Sequence, residues 1–94
     1  HYAPSKPLFL NASTAMADQA ALVFNDSNGF EQACALEVLS PSGSDVEAAA
    51  RLFSALHRLD ASSARAIVVG KMPVGGLGAA IVDRLRRAAA GRGE

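Results

Sequence analysis

Apolar and polar residues fall in blocks whose spacing switches between the short period of strands and the long period of helices. Ala66-Ile67-Val68-Val69 is a short apolar run, mostly β-branched, with no polar break; it predicts a strand buried on both faces. Leu8-Phe9-Leu10, Ala21-Leu22-Val23-Phe24 and Leu36-Glu37-Val38-Leu39 predict three more strands. Turn formers bound two of these: Asn25-Asp26-Ser27-Asn28-Gly29 after the second, Ser40-Pro41-Ser42-Gly43 after the third. Phe30 to Ala33 reads either way, and Asn11 or Ser13 could cap a weak helix running through Asp18-Gln19.

Two helices stand out. Ser44-Asp45-Val46-Glu47 fits a capping box, with Glu47 placed to reach back to the start of the helix. Asp45 and Glu47 also suit the positive end of the helix dipole. Ala49, Leu52, Phe53, Leu56 and Leu59 then form an apolar stripe, with Glu47, Arg51, Ser54 and Arg58 opposite and Glu47–Arg51 a favourable pair. His57 falls on the flank of the stripe and reads as a solvated edge histidine. The second helix follows Gly75-Gly76-Leu77-Gly78. It is expected to bury Leu77, Ile81, Leu85, Ala88 and Ala89 and to turn Asp83, Arg86 and Arg87 outward, with Asp83 and Arg87 paired. Strands alternating with helices predict a small α/β domain, Rossmann-like, with a mostly parallel sheet and helices packed on it. Pro4 and Pro7 make the first seven residues an extended arm or linker.

Composition narrows the function. Ninety-four residues suffice for one modest core, which hides roughly 60–65% of the unfolded surface. No apolar run approaches the roughly 18 residues that would cross a bilayer, so no membrane is expected. Nine basic and nine acidic residues cancel, which removes any bulk field favouring nucleic acid or lipid. The single cysteine, Cys34, excludes an internal disulfide, fits a reducing compartment, and reads as a small buried apolar residue rather than a nucleophile. The chain opens on His1 and not Met, which leads us to expect a piece of something longer.

Site-like features are few. Gly75, Gly76 and Gly78 between a strand and a helix could bring backbone N–H groups to an anion, but they lack the spacing of a dinucleotide fingerprint and the ending of a P-loop. A tight strand-to-helix turn is the preferred explanation. Arg84, Arg86, Arg87 and Arg92 form a local basic patch that could touch RNA phosphates, or simply a solvated face near the negative end of a helix. His57 and Asp60 are one turn apart, with no serine or cysteine placed beside them by a recognisable motif. No metal-ligand spacing appears. The residues describe a binding or accessory module and not an enzyme by itself.

Two stretches carry a family resemblance. His1-Tyr2-Ala3-Pro4 with Pro7 and the strand after it resembles the hinge opening the C-terminal domain of two-domain, YrdC-type L-threonylcarbamoyladenylate synthases. Arg51 to Asp60 (RLFSALHRLD) and Gly76 to Leu85 (GLGAAIVDRL) resemble the end of that domain. The resemblance implies an interdomain linker over residues 1–7 and an accessory α/β domain over 8–94, with the catalytic YrdC-like domain lying elsewhere in the same polypeptide. It implies a parent enzyme that makes threonylcarbamoyl-AMP from ATP, threonine and bicarbonate, feeding threonylcarbamoyl modification of tRNA in the cytoplasm. ATP and Mg would belong to the catalytic domain, and no cofactor to this chain. His1, Tyr2 and Pro4 would contact the partner domain and help gate its active site. Two alternatives stand beside this reading: a free-standing nucleotide or anion binder using Gly75–Gly78, and a tRNA-docking domain using Arg84, Arg86 and Arg87.

Overall fold

The computed structural model of the chain describes residues 4–92, with side chains as far as Ala90. Six elements follow in order: β1 (Leu8–Ala12), β2 (Gln19–Val23), β3 (Ala35–Val38), α1 (Asp45–Asp60), β4 (Ala66–Gly70) and α2 (Gly76–Arg92). The strands form one sheet in the order β1-β4-β2-β3, and every neighbouring pair is parallel. β4 therefore lies inside the sheet, which is why Ala66-Ile67-Val68-Val69 has no polar member and is buried on both faces.

Strand order sets what covers each face. From β1 to β2 to β3 the chain moves one way across the sheet, and from β3 to β4 it moves back. Right-handed crossovers then put the first two connections over one face and α1 over the other. α2 follows β4 on the α1 side. Alternate strand residues serve the two faces accordingly. Leu8, Ala20, Leu22, Ile67 and Val69 pack under Leu52, Leu56 and Leu59 of α1 and Ile81, Leu85 and Ala88 of α2. Ala21, Val23 and Val68 face the other way and pack under Ala15 and Phe30, which come from the irregular connections.

Several local expectations change. Residues 13–18 are not a helix. Six helical residues rise about 9 Å, whereas returning along a five-residue strand takes about 16 Å. An extended crossing is the only path, with Ala15 pointing inward as a plug. The buried stripe of α1 is Ala48, Leu52, Ala55, Leu56 and Leu59. Ala49 and Phe53 are exposed instead, because the small Ala48 and Ala55 turn toward the sheet and let the helix sit close. Leu77 is also exposed and Ala89 only half-buried; the buried side of α2 starts at Gly78 and Ile81. Cys34 is exposed rather than buried, since it precedes the edge strand β3.

The start of α1 departs from a simple capping box. Ser44 Oγ does accept from the Glu47 amide at 3.2 Å. The Glu47 carboxylate, however, accepts hydrogen bonds from Ser40 Oγ at 2.6 Å and Ser42 Oγ at 3.0 Å, and the Ser44 amide donates to Ser40 Oγ at 2.7 Å. Ser40 is fully buried and relays between helix start and carboxylate. Hydrogen bonds from Ser40 and then Ser42, with the Arg51 charge adding to them, hold the Glu47 carboxyl below the usual carboxylate range.

Candidate functional site

In a parallel α/β sheet, a crevice opens at the carboxyl ends of the strands where neighbouring connections leave to opposite faces. That reversal occurs here around β4: the chain leaves β4 toward the helices, and leaves β1 and β2 toward the opposite face. An open crevice of about 260 Å³ lies there, walled by Ser13 after β1, Asn25, Asp26 and Asn28 after β2, and Lys71 after β4. Gly70 forms part of its lining, and a side chain at that position would press on the Phe30 ring at 3.3 Å. The Asp26 carboxylate is partly engaged by the Asn28 amide at 3.0 Å. The crevice offers one cation, one carboxylate and two amides to a small polar molecule. Local pattern marks Asn25, Asp26 and Asn28 only as turn formers and Ser13 only as a candidate helix cap, because the reversal of strand order that gathers them is not written in any local pattern.

The glycine turn is built by packing. Gly78 is buried, and a methyl group there would overlap the Pro73 carbonyl oxygen and lie 2.8 Å from its carbon and 2.9 Å from Pro73 Cβ. Gly75 and Gly76 take positive φ values of 82° and 53°. A carboxylate oxygen of Asp45 lies 3.5 Å from where a Cβ of Gly76 would stand, so a negative group already borders this helix start.

Arg84, Arg86 and Arg87 of α2 have different surroundings. Arg84 lines a groove between the helices with Phe53, Leu52 and Ile81. Arg87 is tied to Asp83 at 2.8 Å. Arg86 is exposed, and the side chain of Arg92 lies outside the described residues. His57 is exposed on α1, with its ring edge-on to Phe53 at 4.5 Å between centroids. Arg58 forms a two-pronged pair with Glu37 of β3, at 2.9 and 2.8 Å, which raises its already high pKa further.

At the other end of the sheet, the N-terminal segment is pinned down. Pro4 is fully buried within the chain. Ser5 and Lys6 bond to Asp60, the last residue of α1, and the Pro7 carbonyl accepts from Ile67 N at 2.8 Å as the segment enters the sheet. His1 and Tyr2 lie outside the described residues. Spacing puts Asp60 one turn from His57, whereas Ser5 and Lys6, which bond to it, are more than fifty residues away, and no spacing rule points to them.

Among the described residues there is no group of three His, Cys, Asp or Glu that could hold a metal ion. No described helix is long and apolar enough to cross a membrane. The class so defined is a small, wholly parallel α/β domain whose helices cover one face, with an anchored N-terminal arm. The family model for the threonylcarbamoyl-AMP synthase C-terminal domain matches residues 1–90, and the chain belongs to that family. Its context is thus tRNA modification, in a family where the domain shares a polypeptide with a catalytic partner. No curated protein and no solved structure matches the chain.

Proposed function

We propose that this chain is the non-catalytic accessory domain of an enzyme that makes threonylcarbamoyl-AMP from ATP, threonine and bicarbonate. Residues 1–7 are the end of the linker from the catalytic domain, residues 8–94 are the accessory domain, and the domain governs access to the active site through that linker. The family match over residues 1–90 carries the reading. ATP and Mg bind in the catalytic domain, in the cytoplasm. A proline-stiffened arm that carries the rings of His1 and Tyr2 can close a pocket and exclude water from a reactive acyl-adenylate.

The test is kinetic. This chain alone is expected to form no threonylcarbamoyl-AMP. In the two-domain protein, His1→Ala with Tyr2→Ala is expected to lower turnover, and unchanged kinetics would count against gating.

A further inference from the structure

The N-terminal segment and the end of α1 hold each other by bonds that run both ways. The Asp60 carboxylate accepts from the Ser5 amide at 3.1 Å on each oxygen. It accepts from Ser5 Oγ at 3.2 and 3.3 Å and from the Lys6 amide at 3.1 Å. In return, Lys6 Nζ donates to the Asp60 backbone carbonyl. That carbonyl is one of the last four of the helix, which have no partner within it, and a cation there suits the negative end of the dipole.

Asp60 is a poor choice for the helix alone. A carboxylate on the final residue opposes the dipole, and the other charge-bearing residues of the last turn, His57 and Arg58, are basic. Its placement is explained by the two consecutive backbone amides that it gathers. Proline on both sides of Ser5-Lys6 fixes φ, and Pro4 is buried. The segment is then continuous with β1 through the Pro7–Ile67 bond.

We propose that Asp60 is a positioning residue: it clamps the segment to α1, so that Pro4 is held in one fixed place and direction relative to the domain. The inference rests on the reading of this segment as the link to the catalytic domain. A clamped link behaves as a strut. It sets where the preceding residues stand, whereas a loose tether would only keep the two domains near each other.

Two measurements separate the clamp from the gating reading. Amide hydrogen exchange at Ser5 and Lys6 is followed by NMR in the wild-type chain, in Asp60→Ala, and in Ser5→Ala with Lys6→Met, which leaves α1 untouched if the first variant folds poorly. Exchange is expected to quicken at least tenfold at Ser5 and Lys6 in Asp60→Ala, and several-fold at Lys6 in the double variant, with β2 and β4 unchanged. Unchanged exchange at both residues overturns the clamp. In the two-domain protein, Asp60→Ala is expected to lower kcat several-fold while KM for ATP and threonine stays near wild type, and Asp60→Glu to recover part of the loss. Faster exchange with wild-type kinetics would keep the clamp, overturn the positioning role, and count against gating itself.

Discussion

At Gly78 the side chain is excluded by a backbone atom, so the cost of adding one cannot be relaxed by a rotamer change. Gly78→Ala is expected to destabilise by about 1–3 kcal/mol, the range for overpacking, even though alanine favours a helix by about 1 kcal/mol. Gly75→Ala meets nothing within 4 Å but must hold a φ of 82°, which costs about 1–2 kcal/mol. Urea midpoints at unchanged slope would check both; a stabilised Gly78→Ala would sink the packing account. Cys34 gives a second test at this scale. Being exposed, it should react with iodoacetamide in the native chain as fast as in urea, whereas a buried thiol would be slowed by orders of magnitude. Residue type alone points to a buried cysteine, and the structure shows why that fails here. Burial of a small residue at a strand edge depends on which strand ends the sheet, and that is a property of the order β1-β4-β2-β3.

The start of α1 makes a pH prediction at the scale of an element. The folded Glu47 carboxyl has a lowered pKa, with Ser40 the largest cause. Its contribution is therefore complete above the ordinary glutamate value of about 4.3 and is lost as pH falls below that, through the depressed folded value. Glu47→Gln should be less stable than wild type at pH 7, and the gap should close as pH falls below the ordinary glutamate value of about 4.3; thermal melts on either side of that value decide it, and a constant gap would refute the linkage. Ser40→Ala should cost about 1–3 kcal/mol, since it strips a partner from both the Ser44 amide and Glu47. The helix itself is legible from Ser44-Asp45-Val46-Glu47 and the stripe after it. The role of Ser40 is not, because a serine four residues before a cap carries no periodic signal. The same limit explains why Leu52, Leu56 and Leu59 are legible as core while Phe53 is not: helical spacing gives a face about 100° wide, and contact with the sheet selects within it.

Across the whole molecule, the two faces of the sheet differ in kind. One carries two helices and the larger apolar cluster; the other is covered by irregular connections through Ala15 and Phe30. The sheet is legible from four apolar runs and the helices from two helical patterns flanking the last of them, but the one-sided placement of both helices needs the strand order, which no single run contains. The asymmetry predicts a graded opening of the native state. For about 94 residues the total stability is on the order of 5–14 kcal/mol, so losing the lesser cover need not unfold the rest. Amides of β2 and β4, each paired on both sides, should exchange slowest, and those of residues 13–18 and 25–34 fastest. Leu22→Ala, at the base of the helix-side core, should cost about 2–5 kcal/mol and weaken protection in every strand. Phe30→Ala should speed exchange chiefly in residues 13–18 and 25–34 and leave β4 nearly as protected as before. If the two variants lowered β4 protection equally, the connections would be an integral part of one cooperative core, and the picture of a helix-side foundation with a separable cover would be wrong.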